Sequence, residues 1–279
     1  MAKYAMVIDI NLCTSCYACF LACKDEHCNQ AHLPVTAAQP HMGHRWMNIK
    51  DLERGKSARV KVASIPILCM HCQDAPCEKA AKNNAVTRRN DGIVLIDPEK
   101  AKGQKQLVDA CPYNAIYWND EEDIPQKCTL CAHWLDAGYK EPRCVEVCPT
   151  QALTFGDRED PDSDVVKKLK QGPFVLKPGN DGLKPLITYL NVPEMLVAGT
   201  IFCPDVKEVA KGAKVTLSGN GYVKSFNANG FGDFEFENMP KDKEYTLRVE
   251  LTGYEPWETR LTTNEHWVEG NIQLTKQKR

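Results

Sequence analysis

"CTSCYACFLAC", residues 13–23, places four cysteines at spacings of three, three and four. Cys-x2-Cys-x2-Cys-x3-Cys is the run in which three thiolates wrap one face of an iron–sulfur cube while the fourth ligates a different cube. The stretch therefore demands a second cluster whose other ligands lie elsewhere. They are found near the far end of the cysteine-rich part, in "QKCTLCAHWLD" (126–136) and "CVEVCPTQAL" (144–153). Pairing the two runs gives set A (Cys13, Cys16, Cys19, Cys148) and set B (Cys23, Cys128, Cys131, Cys144). The same logic completes Cys69, Cys72 and Cys77 with the distant Cys111, set C. Twelve ligands in three sets of four predict three 4Fe-4S clusters.

The layout also contains an internal repeat. "CPYNAI" (111–116) and "CPTQAL" (148–153) share the pattern Cys-Pro-x-x-Ala-aliphatic, and "AKNNAV" (81–86) is a third copy in which Cys-Pro has become Ala81-Lys82. Counting back from Cys111 in steps of four, three and three lands on Leu107, Gln104 and Ala101. With Ala81, these are the four positions where a further cube would find its thiolates, and all four are non-cysteine. The sequence thus reads as a scaffold laid out for four clusters that holds three. The lost volume is expected to be filled by the apolar side chains of Leu107, Val108 and Val86, because an empty cavity forfeits packing.

Other readings of the cysteines fit less well. Structural zinc closes with four ligands in a tetrahedron and uses neither a third cysteine three residues after a pair nor a proline after the fourth. No Cys-x2-Cys pair is followed by the histidine that attachment of a c-type haem requires. The opening "MAKYAMVIDINLC" has no basic start, apolar core and small-residue cleavage site of a secretion signal, so reduced, metal-bound thiols are expected rather than a disulfide scaffold. Cys28 and Cys203 fall outside every ligand spacing and are expected to be small buried hydrophobes. His71 and His133, between and beside ligands, are expected to hydrogen-bond a cluster sulfur or a partner. The tract "HMGHRWMNIK" (41–50) reads as a loop, with core and surface equally open.

The 35 basic and 37 acidic side chains nearly cancel, leaving a net charge of −2 and no basis for a sequence-independent grip on nucleic acid or anionic lipid. The longest apolar candidate, "IPILCM", is far short of the ~18 residues a bilayer span needs, so no direct membrane span is expected. Beyond residue 190 the character changes. "AGTIFC", "AKVTLSG", "YVKSFNA", "GDFEFENM", "EYTLRVEL", "ETRLTT" and "EGNIQL" alternate apolar and polar residues between turn signals. They predict a seven-stranded antiparallel β-sandwich, transthyretin- or immunoglobulin-like, with Val215, Leu217, Phe234 and Phe236 inward and Gly230 and Gly232 easing a tight turn. The fold class is α+β: a ferredoxin-like cluster-binding module over 1–155, whose inner half, about 60–120, holds one cluster and whose two ends hold two. A connecting segment over 156–190, with room for one short helix, and a sandwich over 191–279 follow. The sandwich carries no clustered catalytic side chains, which makes it a docking or stabilising module.

The cysteine layout resembles the iron–sulfur subunits that accompany molybdenum or tungsten enzymes of the dimethyl-sulfoxide-reductase family. The closer likeness, in "GHRWMNI", "CMHCQDAPC", "DGIVLIDPEKAKG", "CPYNAIYWN" and "QKCTLCAHWLD", is to the small subunits of pyrogallol–phloroglucinol transhydroxylases. That resemblance implies a heterodimer in which a large catalytic subunit carries molybdenum bis-pterin guanine dinucleotide and acts on hydroxylated aromatic rings. This chain would then be a non-catalytic electron-transfer subunit, with no catalytic residue of its own, in an anaerobic and cytoplasmic complex. Two alternatives stand beside it: a subunit whose clusters are mainly structural, and the electron-transfer subunit of a related reductase or dehydroxylase.

Overall fold

A computed structural model of the chain describes residues 2–56, 59–172 and 182–278. It divides into two compact units, one of residues 1–51 and 64–192, the other of residues 52–63 and 193–279.

The first unit is organised by β1 (Tyr4–Asp9), whose residues Ala5–Ile8 are all buried, as expected of a strand with a partner on each side. A 3-10 turn at Ile10–Leu12 leads from it to Cys13 and the helix α1 (Ala18–His27). The hairpin β2 (Asn48–Lys56) and β3 (Arg59–Ile67) follows, then α2 (Pro76–Ala80) and the short hairpin β4 (Val86–Arg88) and β5 (Val94–Ile96). After α3 (Gln106–Asp109) come the hairpin β6 (Ile116–Asn119) and β7 (Ile124–Lys127), α4 (Ala132–Asp136) and α5 (Arg143–Glu146). The unit closes with β8 (Leu153–Asp157), α6 (Asp164–Leu169) and β9 (Ile187–Leu190).

β1 pairs antiparallel with β8, Ile8 opposite Leu153, and parallel with β9, Met6 opposite Ile187. This three-stranded sheet carries Cys148, just before β8, back to Cys13, just after β1. Residues 156–190 therefore do not merely connect. Val165 of α6 packs against Ala5, Val7 and Leu190, and β9 is a sheet strand; of this segment, 173–181 lie outside the described residues. The one short helix its composition allowed is α6; its Pro, Gly, Asp and Lys content hid the strand β9, whose stability comes from β1 rather than from its own periodicity.

Among the described residues beyond 193, the second unit contains the seven expected strands and one more: β10 (Met195–Cys203), the two-residue β11 (Glu208–Val209), β12 (Lys214–Gly219), β13 (Tyr222–Asn227), β14 (Asp233–Met239), β15 (Glu244–Glu250), β16 (Trp257–Thr262) and β17 (Trp267–Gln273). One sheet runs β13-β12-β15-β16. In the other, β10 pairs with β14 and β11 antiparallel and with β17 parallel, so the unit is not wholly antiparallel. Val215, Leu217, Phe234, Phe236 and Cys203 are buried in its core. Gly232 is required (φ +74°, with an added Cβ 2.6 Å from the Ile201 carbonyl oxygen), whereas around Gly230 there is open space. The far end of the β2–β3 hairpin also belongs here, its cations facing the acidic outer edge of β14: Lys61 lies 2.5 Å from Glu235 and 2.6 Å from Glu237, and Arg59 pairs with Asp233.

Candidate iron–sulfur sites

The chain bends around each cysteine run through residues in the left-handed region: Ser15 and Tyr17 in the first run, His71 between Cys69 and Cys72, Leu130 and Cys131 in the last. Non-glycine residues rarely adopt this conformation, which costs ~1–2 kcal/mol each. The two cysteine-bearing repeats share one turn, in which the N–H of Asn114 donates to the Cys111 carbonyl (3.0 Å) and that of Gln151 to the Cys148 carbonyl (3.2 Å). In the degenerate copy the turn is shifted by one residue, Ala85 N–H donating to the Lys82 carbonyl (3.0 Å) and Asn83 being left-handed as well. Asn84, Asn114 and Gln151 have φ of 51°, 51° and 53°, each is followed by a buried alanine (Ala85, Ala115, Ala152), and each alanine leads into a strand.

Cys13, Cys16, Cys19 and Cys148 line one pocket, rimmed by Tyr17, Ile49, Pro66 and Leu153. Packing of α1 on α5 brings Cys23 to Cys144, and the charges of Cys131, Cys128 and Cys23 all act on Cys144. Cys69, Cys111 and Cys77 act likewise on Cys72. The three expected sets are thus each drawn together by the fold. Cys144 also feels Cys19, and Cys128 feels Cys69, so set B lies between sets A and C.

The chemistry of these donors fits a metal cluster. Burial, reinforced by neighbouring thiols, pushes Cys72 up to about 12 and Cys19 to about 11, and burial drives Cys23 and Cys144 well above the ordinary thiol value. Four crowded, buried thiols cannot all ionise without cations among them, and iron supplies the cations. Backbone N–H groups already aim at the sulfurs: His71 at Cys69 (3.5 Å), Ala115 at Cys111 (3.4 Å) and Leu130 at Cys128 (3.4 Å). At Cys148 burial is outweighed by donors from Leu153, Thr150 and Ala152, which hold its thiol below the ordinary value.

The fourth position is occupied by protein. Ala101 and Leu107 are fully buried, and Gln104, also buried, accepts from the Lys82 N–H (2.8 Å) and donates to the carbonyls of Lys82 (3.1 Å) and Lys100 (2.7 Å). Its amide clamps the degenerate repeat to the turn that would have held a cube. The expectation of a purely apolar filling is corrected accordingly: Leu107 and Val86 are buried, Val108 only partly, and the polar Gln104 bridges the rest. Composition pointed to apolar side chains because it does not reveal which backbone groups need partners.

Two residues escaped sequence reasoning. His27, buried one helical turn after Cys23, places Nε2 3.7 Å from the Cys131 sulfur, and burial lowers it to about 3, so the ring is neutral. Lys127, buried beside Cys128, holds its ammonium against the backbone carbonyls of Val94 and Cys128. The i,i+4 spacing from Cys23 was the available signal for the first and adjacency to a ligand for the second. His133 bonds the Glu26 carboxylate (2.9 Å) rather than a sulfur, and His71 Nδ1 accepts the N–H of Val94 (3.0 Å). In the 41–50 tract His44, Trp46 and Met47 are core, His41 and Met42 are exposed, and Asn48–Lys50 begin β2. Cys203 is buried as expected, but Cys28 is only half-buried, its sulfur 3.2 Å from His41 Nδ1.

Converging cysteine sets on a repeated strand-and-turn backbone define an iron–sulfur protein of ferredoxin type. The family described as a 4Fe-4S dicluster domain matches residues 60–158. The pyrogallol hydroxytransferase small subunit of Pelobacter acidigallici is 43% identical over 91% of this chain and 92% of its own length. A tetrathionate reductase subunit of Salmonella typhimurium is 36% identical over 70% and 75% of the two chains, and a sulfite dehydrogenase subunit of Allochromatium vinosum 34% over 68% and 83%. The chain belongs to the iron–sulfur subunits of molybdopterin oxidoreductases, alongside the pyrogallol hydroxytransferase small subunit. It is a non-catalytic electron-transfer subunit, and its family places it beside a catalytic partner. Among the described residues no helix is long and apolar enough to cross a membrane.

Proposed function

We propose that the chain holds three 4Fe-4S clusters, in sets A, B and C, and passes single electrons to or from a large subunit. That subunit would carry molybdenum bis-pterin guanine dinucleotide and act on hydroxylated aromatic compounds in a transhydroxylase-type reaction. The observation that carries this reading is the gathering of twelve cysteines into three groups of four, joined to high identity over nearly the whole length of a hydroxytransferase small subunit. When bound, each cluster supplies a one-electron redox couple. The chain's own part is to hold the thiolates, donate N–H groups to their sulfurs and exclude water from sets B and C, whose cysteines are nearly all buried. The sandwich, transthyretin- or immunoglobulin-like in this reading, docks or stabilises the partner, and the complex is cytoplasmic. Redox titration of the purified complex by electron paramagnetic resonance tests it. Three signals that change oxidation state during turnover with a hydroxylated aromatic substrate are expected, whereas clusters that stay in one state throughout would mark a structural role.

A further inference from the structure

Lys127 ends β7 with only 2% of its surface exposed. Its ammonium donates to the carbonyls of Val94 and, at 3.1 Å, Cys128, and among the described residues it has no carboxylate partner. Taking a cation out of water costs several kcal/mol unless an opposite charge compensates it. The β6–β7 hairpin sets Lys127 opposite Ile116, at the end of the Cys111 repeat, and its charge favours the thiolates of Cys77, Cys111 and Cys128.

Val94 links this cation to a second unsatisfied group. While its carbonyl accepts from Lys127, its N–H donates to Nδ1 of His71, in the loop between Cys69 and Cys72. With Nδ1 accepting, the proton of the neutral ring is on Nε2, and that buried N–H has no partner among the described residues. An ammonium without a counter-ion and an N–H without an acceptor, both within a residue or two of cysteine ligands, make one electropositive wall. Set B has by contrast the neutral His27 at its sulfur, and set A opens toward the surface through the exposed Cys16.

We propose that Lys127 is the built-in counter-charge, and the Nε2–H of His71 a hydrogen-bond donor, for the cube held by Cys69, Cys72, Cys77 and Cys111, making set C the most easily reduced of the three. A thiolate-ligated cluster gains one negative charge when it accepts an electron, and a fixed buried cation beside it favours that state. One electron enters, supplied by the neighbouring cluster of the same chain. Both residues are positioning residues. In a chain whose fourth site is filled by protein, electrons then come to rest at set C.

This inference rests on the ligand sets proposed for the three cubes, and its test separates the two. Potentials are measured by spectroscopically monitored redox titration of the complex, with the set C signal identified as the one lost in Cys111→Ser. In the unmodified complex set C has the highest potential. Lys127→Met makes its reduction about tenfold less favourable, about 59 mV for one electron, moves set B less and leaves set A in place, while Lys127→Arg restores the native value. Unchanged potentials in a Lys127→Met complex with full iron content, or an equal shift in all three, would overturn the proposal. Should Lys127→Met lose iron, the order in the unmodified complex decides, and a set C potential below the others refutes the idea. An iron content other than three cubes would instead unseat the ligand sets.

Discussion

Two short helices show opposite outcomes of one repeat. In α2, Cys77 is the second helical residue and Ala81 stands four positions on; in α3, Leu107 is the second residue and Cys111 stands four positions on. The backbone that follows is related in the two, with Asn84 and Asn114 left-handed and Ala85 and Ala115 buried, but after Ala81 the turn has shifted by one residue: Asn83 is left-handed too, and Ala85 rather than Asn84 donates back. Yet Cys77 and Cys111 converge on one site, while Ala81 and Leu107 belong to another that Gln104 has closed by hydrogen bonds. A turn into a strand survives without thiolates, shifted by one residue, because a backbone hydrogen bond and a buried alanine maintain it. What makes a cluster site is the donor set placed on that turn.

The largest test of this contrast is Cys111→Ser. It should abolish the set C cube, about four of about twelve irons, and spare sets A and B, as read from the spectra and iron content of the complex. Loss of the signal belonging to Cys128 instead would break the pairing. Next is the converse change. Restoring cysteine at Ala81, Ala101, Gln104 and Leu107 together should yield no additional stable cube and should lower thermal stability, since Leu107 and the Gln104 clamp are removed. Recovery of a fourth cube with unchanged melting would show that the site is still open.

Smaller effects sharpen the account. Leu107→Ala leaves a cavity around a fully buried side chain and should cost about 2–5 kcal/mol in denaturant unfolding. Gln104→Ala should cost about 1 kcal/mol, because the freed N–H of Lys82 lies on an exposed residue where water can replace the amide. If Gln104→Ala were the more damaging of the two, the polar clamp rather than apolar packing would dominate the filling.

The sequence was most legible where chemistry demands a fixed residue type. The cysteine spacings and the Cys-Pro-x-x-Ala repeat identified the sets the fold brings together, and alternation located the strands of the second unit. Legibility failed where a residue's role depends on neighbours distant in the chain. β9 is a strand because β1 has a free edge, and β17 runs parallel to β10, a pairing that alternation cannot specify. The spacing marks Gln104, His27 and Lys127 as positions near ligand sites but says nothing of their partners, which exist only once the fold buries them against Lys82, Cys131 and the carbonyl of Val94.

The central claim, three occupied sites in a scaffold for four, is tested most directly by native mass spectrometry of the anaerobically purified complex, with this chain released in the gas phase. The mass should exceed that of the polypeptide by three four-iron, four-sulfide cubes, about twelve irons. A mass corresponding to four cubes would mean that the position closed by Gln104 and Leu107 binds iron after all, and would contradict the account.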